Sequence, residues 1–191
     1  MNSLLKTILL SLVLISFVAS CAFQQFVSFS DLNRRVNELC AQKKYSEAEK
    51  ILKKELQKYR ETSGSSALYV PVLLGNLEEV YMIQGKLAEA EPLYEEELAF
   101  FEKAYKPGDP GIASHIDKLA RFYANEGKYT EAETLYKRAL AINEKALGPY
   151  NQAAALSLKN LAELYKVQGR YAEAKECEDR LKEILSKNPQ E

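Results

Sequence analysis

Four stretches of the chain say nearly the same thing at a fixed stride. KKYSEAEKIL begins at residue 43, GKLAEAEPLY at 85, GKYTEAETLY at 127 and GRYAEAKECE at 169, so the step is 42 residues each time. Self-similarity at a period of 20 to 50 residues is the mark of a stacked array, in which no single unit can bury its own apolar face. Each period holds two helical stretches. Between Val72 and Gln84 the apolar residues Leu73, Leu74, Leu77, Val80, Tyr81 and Ile83 recur at three- and four-residue intervals, which places them along one side of a helix. Gly85 follows as a helix stop, because glycine takes positive φ at no steric cost. A second helix is expected from Leu87 to Tyr105.

The columns of the repeat support this pairing. Ala48, Ala90, Ala132 and Ala174 share one position, and Tyr81, Tyr123 and Tyr165 share another, with Leu39 in the first repeat. A small residue lets two helix backbones approach while a large ring fills the space one turn away. The 12 tyrosines are therefore read mostly as packing. Loops are expected at 64–66, 106–111 and 148–152, where Gly, Pro and Ser punctuate the pattern.

These residues resemble the tetratricopeptide repeat, in its 42-residue form found in kinesin light chains and many bacterial proteins. The family's spacing is met by Leu77, Tyr81, Gly85, Ala90 and Tyr94, by Leu119, Tyr123, Gly127, Ala132 and Tyr136, and by Leu161, Tyr165, Gly169 and Ala174. The resemblance implies an all-α right-handed superhelical solenoid of four helix-turn-helix repeats, at about 29–70, 71–112, 113–154 and 155–188. The family's Trp position is filled by Leu74, Ile116 and Leu158, and its third Ala by Glu55, Glu97 and Leu181, where looser contacts are expected. Arg35 at one end, and Glu178 with Lys182 at the other, replace apolar residues of the inner repeats and read as polar caps.

What the resemblance implies for function is a concave groove, lined by the first helix of each repeat, that holds an extended peptide or a partner helix. Carried over position by position, the groove comprises Asn33, Arg34 and Asn37, then Gly75, Asn76, Glu79 and Met82. Asp117, Lys118, Arg121 and Asn125 follow, then Lys159, Asn160, Glu163 and Lys166. Asn76 and Asn160 match an Asn that hydrogen-bonds ligand backbone in kinesin-light-chain repeats, a task suited to an amide that donates and accepts at once. Lys118 interrupts that column. Five cations against three anions make the set mildly basic, and a mixed or slightly acidic segment is the expected ligand. A self-associating scaffold using the convex face or the ends is the alternative.

Ahead of the array, Met1 to Lys6 carries one positive charge and Thr7 to Val18 is apolar except for Ser, the pattern of an export signal. Val18-Ala19-Ser20-Cys21 resembles the lipobox of bacterial lipoproteins, which implies lipidation of Cys21, removal of residues 1–20 and a tether over 21–30. Two or more acyl chains hold a protein stably on a membrane, at about 0.8 kcal/mol per buried methylene. Ala22 after the Cys implies the outer membrane facing the periplasm. An uncleaved helix on the inner membrane and an ordinary cleaved signal with secretion remain open.

Charge and composition exclude other classes. Lys+Arg is 26 against Asp+Glu 27 with the basic residues dispersed, so no electrostatic footprint for nucleic acid exists. No nucleotide-binding, metalloprotease, hydrolase or redox motif is present. The single histidine, His115, has no second His to share a metal and reads as packing. Cys40 and Cys177 belong to the first and last repeats, too far apart for an internal bridge. No enzyme activity, cofactor or small-molecule substrate is expected; the expected partner is another protein.

Overall fold

Short turns at the repeat's glycine column set the architecture. Gly127 stands at φ 76° and Gly169 at φ 73°. At Gly127 the amide bonds the Ala124 carbonyl and Lys128 N–H bonds the Tyr123 carbonyl; Gly169 and Arg170 do the same with Lys166 and Tyr165. This paired closure satisfies two orphan carbonyls at a helix end and reverses the chain within two residues. The computed structural model describes residues 28–61 and 68–187, and the expected signal segment, Cys21 and most of the tether lie outside them. The described residues form helices and short turns without a strand. No helix among them is long and apolar enough to cross a membrane.

The helices fall into two compact units, divided after Gln84. The first holds α1 (28–41), α2 (Tyr45–Arg60) and α3 (Val70–Gln84). The second holds α4 (Leu87–Ala104), a 3-10 turn at Pro110–Ile112, then α5 (Ala113–Asn125), α6 (Tyr129–Leu147), α7 (Gln152–Val167) and α8 (Tyr171–Lys187). Within the second unit, consecutive helices pack on one another and α5 also touches α7. The loops expected at 106–111 and 148–152 are present: Asp109 caps the 3-10 turn through the Gly111 amide, and Asn151 caps α7 through the Ala154 amide.

The columns behave as the spacing predicts. Ala48, Ala90 and Ala132 are fully buried and Ala174 nearly so, and Tyr81 and Tyr165 are buried with them. The core of the second unit joins Ala132, Tyr136 and Leu140 of α6 to Leu158, Leu161 and Tyr165 of α7. Arg35 and Lys182 are exposed, as polar ends require.

Three expectations are corrected. Ile83 is 51% exposed rather than on the apolar side. The first helix already includes residues 28–30, because Phe29 is buried there, stacked on Tyr69 at 4.1 Å and edge-on to Tyr59 at 6.1 Å. Glu97 marks no loose contact. Its buried carboxylate accepts from Lys118 Nζ at 2.5 Å. His115, 3.9 Å from Glu97, stacks on Phe101 at 3.5 Å, and burial holds its imidazole below the usual range. An ion pair fills the space an alanine would leave.

Lys43 occupies the glycine column of the first repeat at φ 59°, with the same two closing bonds, from Lys43 N–H to Cys40 and from Lys44 N–H to Leu39. A Cβ in this conformation carries strain of about 1 kcal/mol. Lys43→Gly is expected to raise stability by about 0.5–1 kcal/mol in urea unfolding. Gly127→Ala is expected to lower it by a similar amount, since nothing lies within 4 Å of the added Cβ and only the backbone objects.

Candidate functional site

The polar positions expected in the groove sit on the first helix of each pair, and the structure treats them unequally. In the first unit, Asn76 of α3 donates from Nδ2 to Asn33 Oδ1 of α1 at 3.0 Å, so two of the expected ligand-binding amides hold each other. Asn37 and Glu79 are exposed on the same helices and Met82 is half-buried. Burial and the charge of Glu79 push the Cys40 thiol up.

In the second unit, two of the cations expected in the groove are paired within the fold. Lys118 is held by Glu97, with its Nζ 5.3 Å from the Tyr94 ring centroid. Lys166 is paired with Glu178 of α8. Arg121 and Lys159 then stand against Asp117 and Glu163, so the mildly basic set expected from the sequence becomes balanced here. The cause is the α4 carboxylate that replaced an alanine, which Lys118 reaches from the neighbouring helix.

Four expected residues converge. Arg121 and Asn125 of α5 and Asn160 and Glu163 of α7 line one cavity of about 250 Å³, walled by Ala124, Tyr129, Leu164 and Val167 and backed by Tyr136. Neither Asn125 nor Asn160 has a hydrogen-bond partner among the described residues, so both amides face the opening with their full donor and acceptor capacity. Asp117 sits deeper between α5 and α7. It accepts from the Ser157 hydroxyl at 3.2 Å, and burial pushes its carboxyl up to about 6 despite Ser157 and Arg121.

Tyr136 and Ser157 were not among the expected site residues. Tyr136 matched the family's aromatic packing position and is only 3% exposed. Ser157 had a legible signal: it stands in the column of Leu73 and His115, a fully buried position of α7 where an apolar side chain is the ordinary choice.

A second polar pattern ties successive repeats together. Lys128 reaches Glu91 of α4 at 2.5 Å with its Nζ 5.2 Å from the Tyr123 ring centroid. Arg170 reaches Glu133 of α6 at 2.6 Å and lies 4.3 Å from the Tyr165 ring centroid, whose hydroxyl donates to the same Glu133. Arg170 first, with Lys137 and Tyr165, holds the Glu133 carboxyl down to about 2. Lys128 immediately precedes α6, where a cation opposes the helix dipole; the ion pair to the previous repeat is the compensation.

Among the described residues no group of three His, Cys, Asp or Glu side chains is placed to hold a metal ion. Solved structures similar to this one are helical-repeat proteins. A variant form of a Podosopora anserina kinesin-light-chain-like protein with nearly identical TPR-like repeats is 25% identical, covers 80% of this chain and 72% of its own, and superposes with a TM-score of 0.69. A tetratricopeptide repeat protein from Parabacteroides merdae is 21% identical with a TM-score of 0.61, over 86% of this chain and 55% of its own. BtubC from P. vanneervenii is 16% identical with a TM-score of 0.53, over 84% of this chain and 81% of its own. No curated protein sequence matches. Repeats of this kind generally mediate protein–protein interaction and are generally non-catalytic scaffolds. The tetratricopeptide repeat model matches residues 32–103 and 111–187, and with the fold described above the chain belongs to the tetratricopeptide repeat family.

Proposed function

We propose that the protein is a membrane-anchored interaction module that holds an extended segment of a partner protein on the α5/α7 face, as an adaptor in a bacterial envelope assembly. The observation that carries the binding reading is the convergence of Arg121, Asn125, Asn160 and Glu163 on one cavity, with both amides free of intramolecular partners among the described residues. Amides in that state exchange only water when they turn to a peptide backbone, whereas Asn76 must first release Asn33. The balance of Arg121 and Lys159 against Asp117 and Glu163 favours a segment of mixed charge over a strongly acidic one. The anchor rests on the apolar run of Thr7 to Val18 and on Cys21 behind it, which support attachment to the outer membrane on the periplasmic side.

Crosslinking and capture from the protein's own membranes test both parts. The Arg121→Ala, Asn160→Ala double variant is expected to recover its partner at least about tenfold less well, at unchanged helix content, because a charge-assisted and a neutral hydrogen bond are lost together. Undiminished capture would remove the face from consideration. Cys21→Ala is expected to release the protein from membranes while leaving capture by the solubilised chain intact. Recovery of the same complex at the same membrane from that variant contradicts the anchor.

A further inference from the structure

A stripe of three lysines on the first helix pair has no counterpart in a later repeat. Lys50, Lys54 and Lys58 stand four residues apart on α2, so they share one side of it, and all three are exposed. The same columns hold Pro92, Glu96 and Phe100, then Thr134, Arg138 and Ile142, then Glu176, Arg180 and Ile184. Lys54 and Lys58 line a cavity of about 460 Å³ together with Arg35 and Leu32 of α1 and Ile51 of α2. The two carboxylates at this cavity are already engaged, Asp31 by Arg34 at 2.8 Å and Glu55 by Lys58 at 3.2 Å. Arg35, Lys50 and Lys54 have no ion pair among the described residues. Like charges four residues apart repel, so the stripe is a mild burden on α2 that an anion from outside relieves. The excess of positive charge is local: residues 28–61 hold 9 Lys and Arg against 6 Asp and Glu, whereas 62–191 hold 16 against 21.

We propose that the first helix pair lies against the membrane, with Arg35 and the lysine stripe of α2 on the headgroup phosphates of anionic phospholipid. The proposal rests on the Cys21 anchor, and adds which face of the fold meets the bilayer and which class of lipid it selects. Phe29 is buried against Tyr59 and Tyr69, so α1 is fixed from its second described residue. Only residues 22–27 separate Cys21 from Ser28, and at about 3.5 Å per residue the start of α1 lies within about 25 Å of a lipidated Cys21. Attraction to an anionic surface fades beyond a Debye length of about 10 Å, so a short tether is what keeps the stripe in range. Each lysine or arginine at such a surface strengthens attachment about fivefold, and the guanidinium of Arg35 can take two phosphate oxygens at once. A few cations do not hold a free chain on a membrane; they orient one that acyl chains already hold.

The test uses the full chain carrying Cys21→Ala, which cannot be lipidated there, and vesicles of phosphatidylcholine alone or with about one third phosphatidylglycerol. Co-sedimentation reads binding, and the ratio between the two vesicles removes any contribution of the apolar run of Thr7 to Val18, which meets both alike. The anionic vesicles are expected to bind about thirtyfold more tightly at low salt, and the preference to fall within about twofold at about 0.5 M salt. Lys50→Gln with Lys54→Gln is expected to lose about tenfold of that preference at unchanged helix content. Lys145→Gln with Lys175→Gln removes the same charge from exposed sites in later repeats, and is expected to change the preference by less than about twofold. No preference for anionic vesicles, or equal losses in the two double variants, overturns the membrane-facing stripe. Full displacement by millimolar inorganic phosphate assigns the cavity to a free anion, and a dimer in vesicle-free solution that the Lys50, Lys54 variant dissolves assigns the face to a second copy; either result overturns the proposal as well. The anchor is read separately, by the release of Cys21→Ala from the protein's own membranes, so the two failures are distinguishable.

Discussion

Ala132→Leu lowers the free energy of unfolding by about 3 kcal/mol, the upper part of the range for overpacking a close-packed core. Ala132 is fully buried, in the cluster that joins α6 to Ala120 of α5 and to Leu161 and Tyr165 of α7. Three added carbons have no space to enter, so either the α5–α6 spacing grows or neighbouring side chains leave their rotamers. The measurement is a urea denaturation midpoint, read beside Thr134→Leu two residues further along the same helix. Thr134 is exposed and bonds only the Thr130 carbonyl. Leucine there is expected to change stability by less than about 0.5 kcal/mol. Equal losses at the two positions would show that the alanine column is not where the helices meet.

Asp117→Asn acts in the opposite direction. The Asp117 carboxyl is pushed up from 3.8 to about 6, chiefly by burial. Its folded value lies above its unfolded value, so the fold prefers the protonated form. That preference is fully present below about pH 4 and is lost as pH rises through 6, leaving an ionised carboxylate as a net cost at neutral pH. Asparagine cannot ionise and its carbonyl still accepts from Ser157. The variant is expected to be about 2 kcal/mol more stable at pH 7.5, after allowance for the partial exposure of the group, and equal to the parent near pH 4. Glu133 behaves the other way: held down to about 2, it stabilises above its unfolded value of 4.5 and loses that contribution only as pH falls below it. The window from pH 5 to 7.5 lies above the Glu133 titration, and His115, held below its usual range, is common to parent and variant, so the difference between the two isolates Asp117. A variant less stable than the parent at pH 7.5 would mean that the carboxylate is compensated in the fold.

Much of this architecture was legible because it is carried by columns. The alanine, tyrosine and glycine positions are set by distances along one helix and across one turn, and a stride of 42 residues repeats those distances without reference to anything remote. The site was less legible because it depends on which polar side chains find partners within the fold. Lys118 and Arg121 look alike as basic residues on one helix, yet Lys118 meets Glu97 and Arg121 opens onto the cavity. Asn76 and Asn160 share a column, but the residue 43 places before the first is Asn33, which bonds it, and 43 places before the second is Asp117, which bonds Ser157 instead. Tyr136 follows the packing rule and at the same time backs the cavity, a double placement no spacing can express. Ile83 fits a three-four periodicity and still faces out, because a short helix has more apolar residues than its buried side can take.

The ion pairs of Glu133 with Arg170 and of Glu91 with Lys128, each cation lying over the tyrosine ring of its own repeat, stand at matching places in successive repeats. A copy of the 42-residue block that holds Lys128 and Glu133 thus arrives with a carboxylate for its successor and a cation for its predecessor. Gene duplication can lengthen such an array by one unit with its fastening already in place, and excision of one unit leaves the flanking halves able to meet.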